Sequence, residues 1–68
     1  MVTERVEVSK DLKGRVIGKG GWMIKEIRRL SGAVISSGEK EDEWFDVSGT
    51  SEQREHAKKL IFESVVSL

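Results

Sequence analysis

Gly18-Lys19-Gly20-Gly21 stands between two stretches, residues 12–17 and 22–30, whose apolar residues recur at helical spacing. Three glycines around one lysine leave backbone N–H groups uncovered by side chains. They fall where the second helix would begin, so the positive end of its dipole points at the same spot. Such a turn suits a phosphate, and Lys19 adds a mobile positive charge. Two helices broken by a glycine turn, with short strands to either side, decide the fold.

Outward from the turn, residues 10–17 predict a short helix with Leu12 and Val16 four apart and Ser9 as its N-cap. Gly14 weakens it. Residues 22–31 predict an amphipathic helix carrying Met23, Ile24, Ile27 and Leu30, stopped by Gly32. Residues 3–9, with Val6 and Val8 alternating with polar neighbours, read as a half-buried strand. Residues 33–37 read as another, centred on β-branched Val34 and Ile35. A charged loop, residues 38–42, leads to a third strand, residues 43–48. That strand puts Phe45 and Val47 on one face and Trp44, near Val34, on the open face with Asp46. Thr50 or Ser51 can cap a last helix whose buried stripe is Ala57, Leu60, Ile61 and Val65.

The predicted class is α+β, in the order β-α-α-β-β-α. Three short strands cannot bury one another, so a three-stranded antiparallel sheet with three helices packed on one face is the economical architecture. The expected core is Val6, Val8, Leu12, Val16, Ile17, Ile24, Ile27, Ala33, Ile35, Phe45, Val47, Ala57, Leu60, Ile61 and Val65.

Sixty-eight residues make one small domain with a few kcal/mol of net stability. Met1 followed directly by strand-like sequence reads as a domain cut from a longer protein or as the start of an expressed fragment. There are no cysteines, which fits an intracellular protein in cytoplasm or nucleus. The longest apolar run is far too short to cross a membrane, so no membrane partner is expected. Twelve basic and twelve acidic residues cancel. Their distribution is uneven. Residues 10–29 carry Lys10, Lys13, Arg15, Lys19, Lys25, Arg28 and Arg29 against two acids, and residues 39–46 are acidic.

A Walker loop is excluded, because it needs four residues between its first glycine and Gly-Lys, and Gly14 to Gly18 encloses three. The dinucleotide-binding glycine pattern fails on spacing too. There is no Ser/His/Asp set, no paired acid and base, and no metal-ligand spacing. His56 reads as a surface residue. No cofactor, metal or catalysis is expected.

Val16-Ile17-Gly18-Lys19-Gly20-Gly21, then Ile24-Lys25-Glu26-Ile27, then Ser31-Gly32-Ala33-x-Ile35, Val47-Ser48-Gly49 and Ala57-x-x-Leu60-Ile61 together resemble a KH domain of the type I (eukaryotic) order. The resemblance covers nearly the whole chain, and residues 1–68 are expected to be a single such domain excised from a larger protein. It implies a grip on about four nucleotides of single-stranded RNA or DNA, RNA being favoured. On that reading Gly18, Lys19, Gly20 and Gly21 hold the backbone. Gly14, Ile17 and Ile24 form one wall of a base groove. Val34, Ile35, Ser36 and Ser37 form the other, and Arg28 contacts bases or phosphates. Arg15 and Lys25 are accessory basic residues.

Three residues depart from the family pattern. Ser37 stands where an aliphatic residue is common. Glu43 stands near a position that is often basic, which would set a carboxylate beside the phosphate path. Trp22 replaces a small or polar residue, and its ring could stack on a base or lie against its own helix or a neighbouring domain. An alternative function is a protein-interaction KH domain with little nucleic-acid affinity, docking through Trp22 or Trp44. Oligomeric state, including pairing through the first strand and last helix, stays open.

Overall fold

A computed structural model of the chain describes residues 2–38 and 42–66. Three of the acidic-loop positions, residues 39–41, lie outside the described residues. Strand β1 (Val2–Glu7) leads to α1 (Lys10–Ile17), a 3-10 turn (Lys19–Gly21), α2 (Trp22–Ser31), β2 (Val34–Ser36), β3 (Trp44–Gly49) and α3 (Ser51–Val66). The strands form one antiparallel sheet in the order β1-β3-β2. The helices cover one face, which is the α+β arrangement the sequence implies.

The end of α2 and the start of α3 have local causes, with an exception at another helix. Gly32 adopts the left-handed conformation at φ 74° and donates to the Arg28 carbonyl at 2.9 Å, which stops α2. Thr50 and Gln53 form a reciprocal cap on α3: Gln53 N donates to Thr50 Oγ1 at 3.2 Å, and Thr50 N donates to Gln53 Oε1 at 3.0 Å. The exception is α1. Ser9 occupies its N-cap position but makes no side-chain capping bond. The carboxylate of Glu43 accepts from Lys10 N instead, at 3.2 Å, while its carbonyl accepts from Val8 N at 3.0 Å. A negative charge there complements the helix dipole.

Among the described residues, every buried apolar one belongs to the expected core: Val8, Val16, Ile24, Ile27, Ala33, Ile35, Phe45, Val47, Ala57 and Ile61. Val6, Leu12, Ile17, Leu60 and Val65 pack against that core while partly exposed. Alternation along β3 sends Phe45 and Val47 inward and Trp44, Asp46 and Ser48 to the open face. The register corrects one expectation. Ser48 lies opposite Val34, and Trp44 lies opposite Glu7. Trp44 therefore sits far along the sheet from Val34, beneath the Arg5 guanidinium, which stacks 3.9 Å from its ring centroid and pairs with Asp46 at 2.9 Å.

Glu4 lies opposite Val47, on the helix side of β1, and joins β1 to α3. It accepts from Lys58 Nζ at 2.8 Å and Arg54 Nη1 at 3.0 Å. The hydrogen bond from Lys58, then that from Arg54, holds the Glu4 carboxyl below the ordinary glutamate range. A depressed folded-state pKa gives stabilisation that is complete above the unfolded-state pKa. That stabilisation is lost as pH falls through the folded-state value. Thermal melts of the Glu4→Gln variant should therefore lie below those of the parent at neutral pH and converge with them in acid. A gap of constant size down to about pH 2 would exclude this role.

Candidate nucleic-acid interface

The 3-10 turn between α1 and α2 is built almost wholly from backbone. Gly18 closes α1 by donating to the Gly14 carbonyl at 2.9 Å, and Gly21 donates to the Gly18 carbonyl at 3.0 Å. These bonds cap the carbonyl end of α1, so its negative pole is satisfied where the positive pole of α2 begins. Gly18 has φ 76°, and a Cβ there would lie 2.5 Å from Met23 Cβ. Close approach of the two helices demands glycine at this position. Gly20 is different: at φ 64° its constraint is conformational, and a Cβ on it or on Gly21 would meet nothing within 4 Å. The outer surface of the turn is therefore open. Lys19 is exposed and forms no ion pair among the described residues.

The other candidate residues divide into groups. Gly14 is exposed on α1, Ile17 is half-buried, and Ile24 and Ile35 are core residues. Arg28, from α2, reaches β2 and donates twice to the Ile35 carbonyl, from Nε at 3.1 Å and from Nη2 at 2.7 Å. Thus α2 and β2 come together through Arg28 and Ile35. Val34 and Ser36 flank Ile35, and strand alternation turns their exposed side chains to the open face of the sheet, away from the helices. Ser37 is half-buried, and its carbonyl accepts from Lys13. Trp22 is 56% exposed at the first position of α2, directly after the turn. Arg15 and Lys25 are exposed.

The basic stretch is less available than its count suggests. Lys13 is only 4% exposed; its ammonium donates to the Ser37 carbonyl at 2.5 Å and lies 5.1 Å from the Phe45 ring centroid. A buried charge needs such partners, so Lys13 has a structural role. The spacing carried that signal, since Lys13 shares a helical face with Val16 and Ile17. Arg29 pairs with Glu26 at 2.8 Å, and this offsets its like-charge neighbour Lys25. Glu43 lies apart from the glycine turn. It caps the N-terminal end of α1, whereas the glycine turn follows the C-terminal end. Eight residues of helix separate them, about 12 Å. That exceeds the ~8 Å screening length of physiological salt.

Among the described residues, no cluster of His, Cys, Asp and Glu could hold a metal ion. No helix there is long and apolar enough to cross a membrane.

The KH domain family model matches residues 3–63. The chain is similar to the RNA-binding protein rnc1 of Schizosaccharomyces pombe, at 39% identity over 69 residues, covering 94% of this chain and 17% of the relative. It is similar to the Tudor and KH domain-containing protein of Homo sapiens, at 38% identity over 71 residues, covering 94% of this chain and 12% of the relative. A third relative is zinc finger CCCH domain-containing protein 44 of Oryza sativa subsp. japonica, at 31% identity over 70 residues, covering 97% of this chain and 24% of the relative. The chain thus spans a quarter or less of the length of these relatives.

Proposed function

The chain belongs to the KH domain family, and from that premise we propose that it is a binding module for single-stranded RNA, or single-stranded DNA. The Gly18–Gly21 turn clamps the backbone, and about four bases are read in a groove between α2 and β2. One observation carries the reading: the open glycine turn, with Lys19 exposed at its tip, stands at the amino end of α2. Backbone N–H groups and a mobile ammonium then meet a phosphate with no side chain in the way. The name of the fission-yeast relative, an RNA-binding protein, supports RNA as the ligand.

Few phosphates are engaged in this mechanism, so affinity falls only gently with salt. A single domain binds weakly. Neighbouring domains of a longer protein would raise affinity through effective concentration. Trp22 extends the clamp by stacking on a base or sugar, typically ~1–3 kcal/mol per base.

The test is an NMR titration of the labelled domain with randomised short RNA pools at about 0.1 M salt. Shifts should concentrate at residues 18–28 and 34–37. RNA should also quench tryptophan fluorescence, and Trp22→Ala should abolish the quench and weaken binding about fivefold or more. No shifts at high RNA concentration would overturn the reading and favour a protein-docking KH domain.

A further inference from the structure

The pairing of β2 with β3 ends at Ser36, which lies opposite Asp46. Ser37 is the next residue, so the end of the β2 wall lies beyond the sheet ladder. Lys13 of α1 reaches it there, and its ammonium donates to the Ser37 carbonyl at 2.5 Å. Gly38 follows, and a Cβ on it would lie 2.6 Å from Trp44 Cη2. The chain leaving β2 is thus gripped from the helix side by Lys13 and from the open face of the sheet by the Trp44 ring. The ammonium itself lies 5.1 Å from the Phe45 ring centroid and 5.9 Å from that of Trp44.

A buried ammonium is a costly way to fix one carbonyl, because an apolar residue of the same length would fill the site without desolvating a charge. Lys13 is only 4% exposed, so it offers little surface to a ligand. Its effect on binding must pass through Ser37. We infer that Lys13 is a positioning residue for nucleic-acid binding: it holds the end of the β2 wall in place, so that the groove is formed before RNA arrives. This rests on the groove between α2 and β2 being the site that takes the RNA. A wall left loose would be competent for only part of the time, and apparent affinity falls by that fraction. A wall already fixed avoids the entropy of ordering it on binding. The tie runs to α1, the helix that leads into the glycine turn, so one side chain links the turn that holds the backbone to the far wall.

The experiment measures affinity for a short randomised RNA pool, its salt dependence and a thermal melt. The proteins are the parent, Lys13→Met and Lys13→Arg. Methionine matches the length of the lysine stem without its charge or its donor, and such replacements of buried ionic groups are often neutral or stabilising. Lys13→Met should therefore melt no lower than the parent, yet bind RNA about tenfold more weakly, the scale of leaving one residue to be ordered on binding. Its salt slope should match that of the parent, since the ammonium meets no phosphate. Lys13→Arg keeps a donor and can lie on an aromatic ring, and it should retain most of the parent affinity. Should Lys13→Met fail to fold, Lys13→Leu removes the same donor and takes its place in the comparison. Parent-like affinity without the donor would leave Lys13 a purely structural residue and overturn the inference. So would a shallower salt slope, which marks a phosphate contact, or a loss in Lys13→Arg equal to that in Lys13→Met. Each of these results leaves the binding module standing. A parent that binds no RNA would remove the module and the inference together.

Discussion

The Lys19→Asp, Gly20→Asp double variant is expected to lose about a hundredfold or more in affinity for single-stranded RNA with its fold unchanged. The turn changes by three charge units, two at Lys19 and one at Gly20. Unit charges 4 Å apart in bulk water interact by about 1 kcal/mol, so three units oppose a bound phosphate by about 3 kcal/mol. Aspartate is the right probe because the fold tolerates it. Gly20 sits at φ 64° and ψ 13°, in the left-handed region that aspartate enters more readily than most residues. Its Cβ would meet no atom within 4 Å. Fluorescence polarisation on a short RNA, with a thermal melt beside it, decides the matter. Affinity within threefold of the parent would show that the turn does not hold the backbone. Should the double variant melt early, Lys19→Asp alone changes two charge units at an exposed side chain and keeps the question answerable.

The parts of this fold that were legible in the sequence are those governed by neighbours. The limits of α1 and α2 follow from helical spacing punctuated by Gly18 and Gly32, and the core follows from which face each apolar residue shares. The unread parts depend on residues distant in sequence. Glu43 caps α1 from across the molecule, and β3 starts at Trp44, one residue later than the alternation implied. The sheet register, set by β1-β3-β2 pairing, moved Trp44 away from Val34 and under Arg5. At the candidate interface, the glycine turn was legible because its chemistry is local backbone chemistry. The Arg28–Ile35 bond was not, since it requires knowing that β2 lies within reach of the Arg28 side chain on α2. Nor was the withdrawal of Lys13 from the basic surface, although its place beside Val16 and Ile17 foreshadowed burial.

Phe45→Ala is expected to destabilise the domain by about 3–5 kcal/mol. A chain of 68 residues has roughly 3–10 kcal/mol in all, so much of the population should be unfolded near body temperature. Phe45 is fully buried on the central strand, opposite Val6, and packs between the sheet and the helices. Its removal opens a cavity in the core. It also strips the ring from beneath the buried Lys13 ammonium, whose hydrogen bond to Ser37 fixes the chain after β2. Phe62 supplies the control. It is the same residue type, but 65% exposed on α3, and Phe62→Ala should stay within about 0.5 kcal/mol. Denaturant titrations of both variants measure the contrast. Equal midpoints would mean that Phe45 is not the centre of the core. RNA binding should fail in Phe45→Ala together with the cooperative melt, whereas the aspartate variant of the turn should lose binding and keep its melt. The two substitutions thereby separate the platform from the clamp it carries.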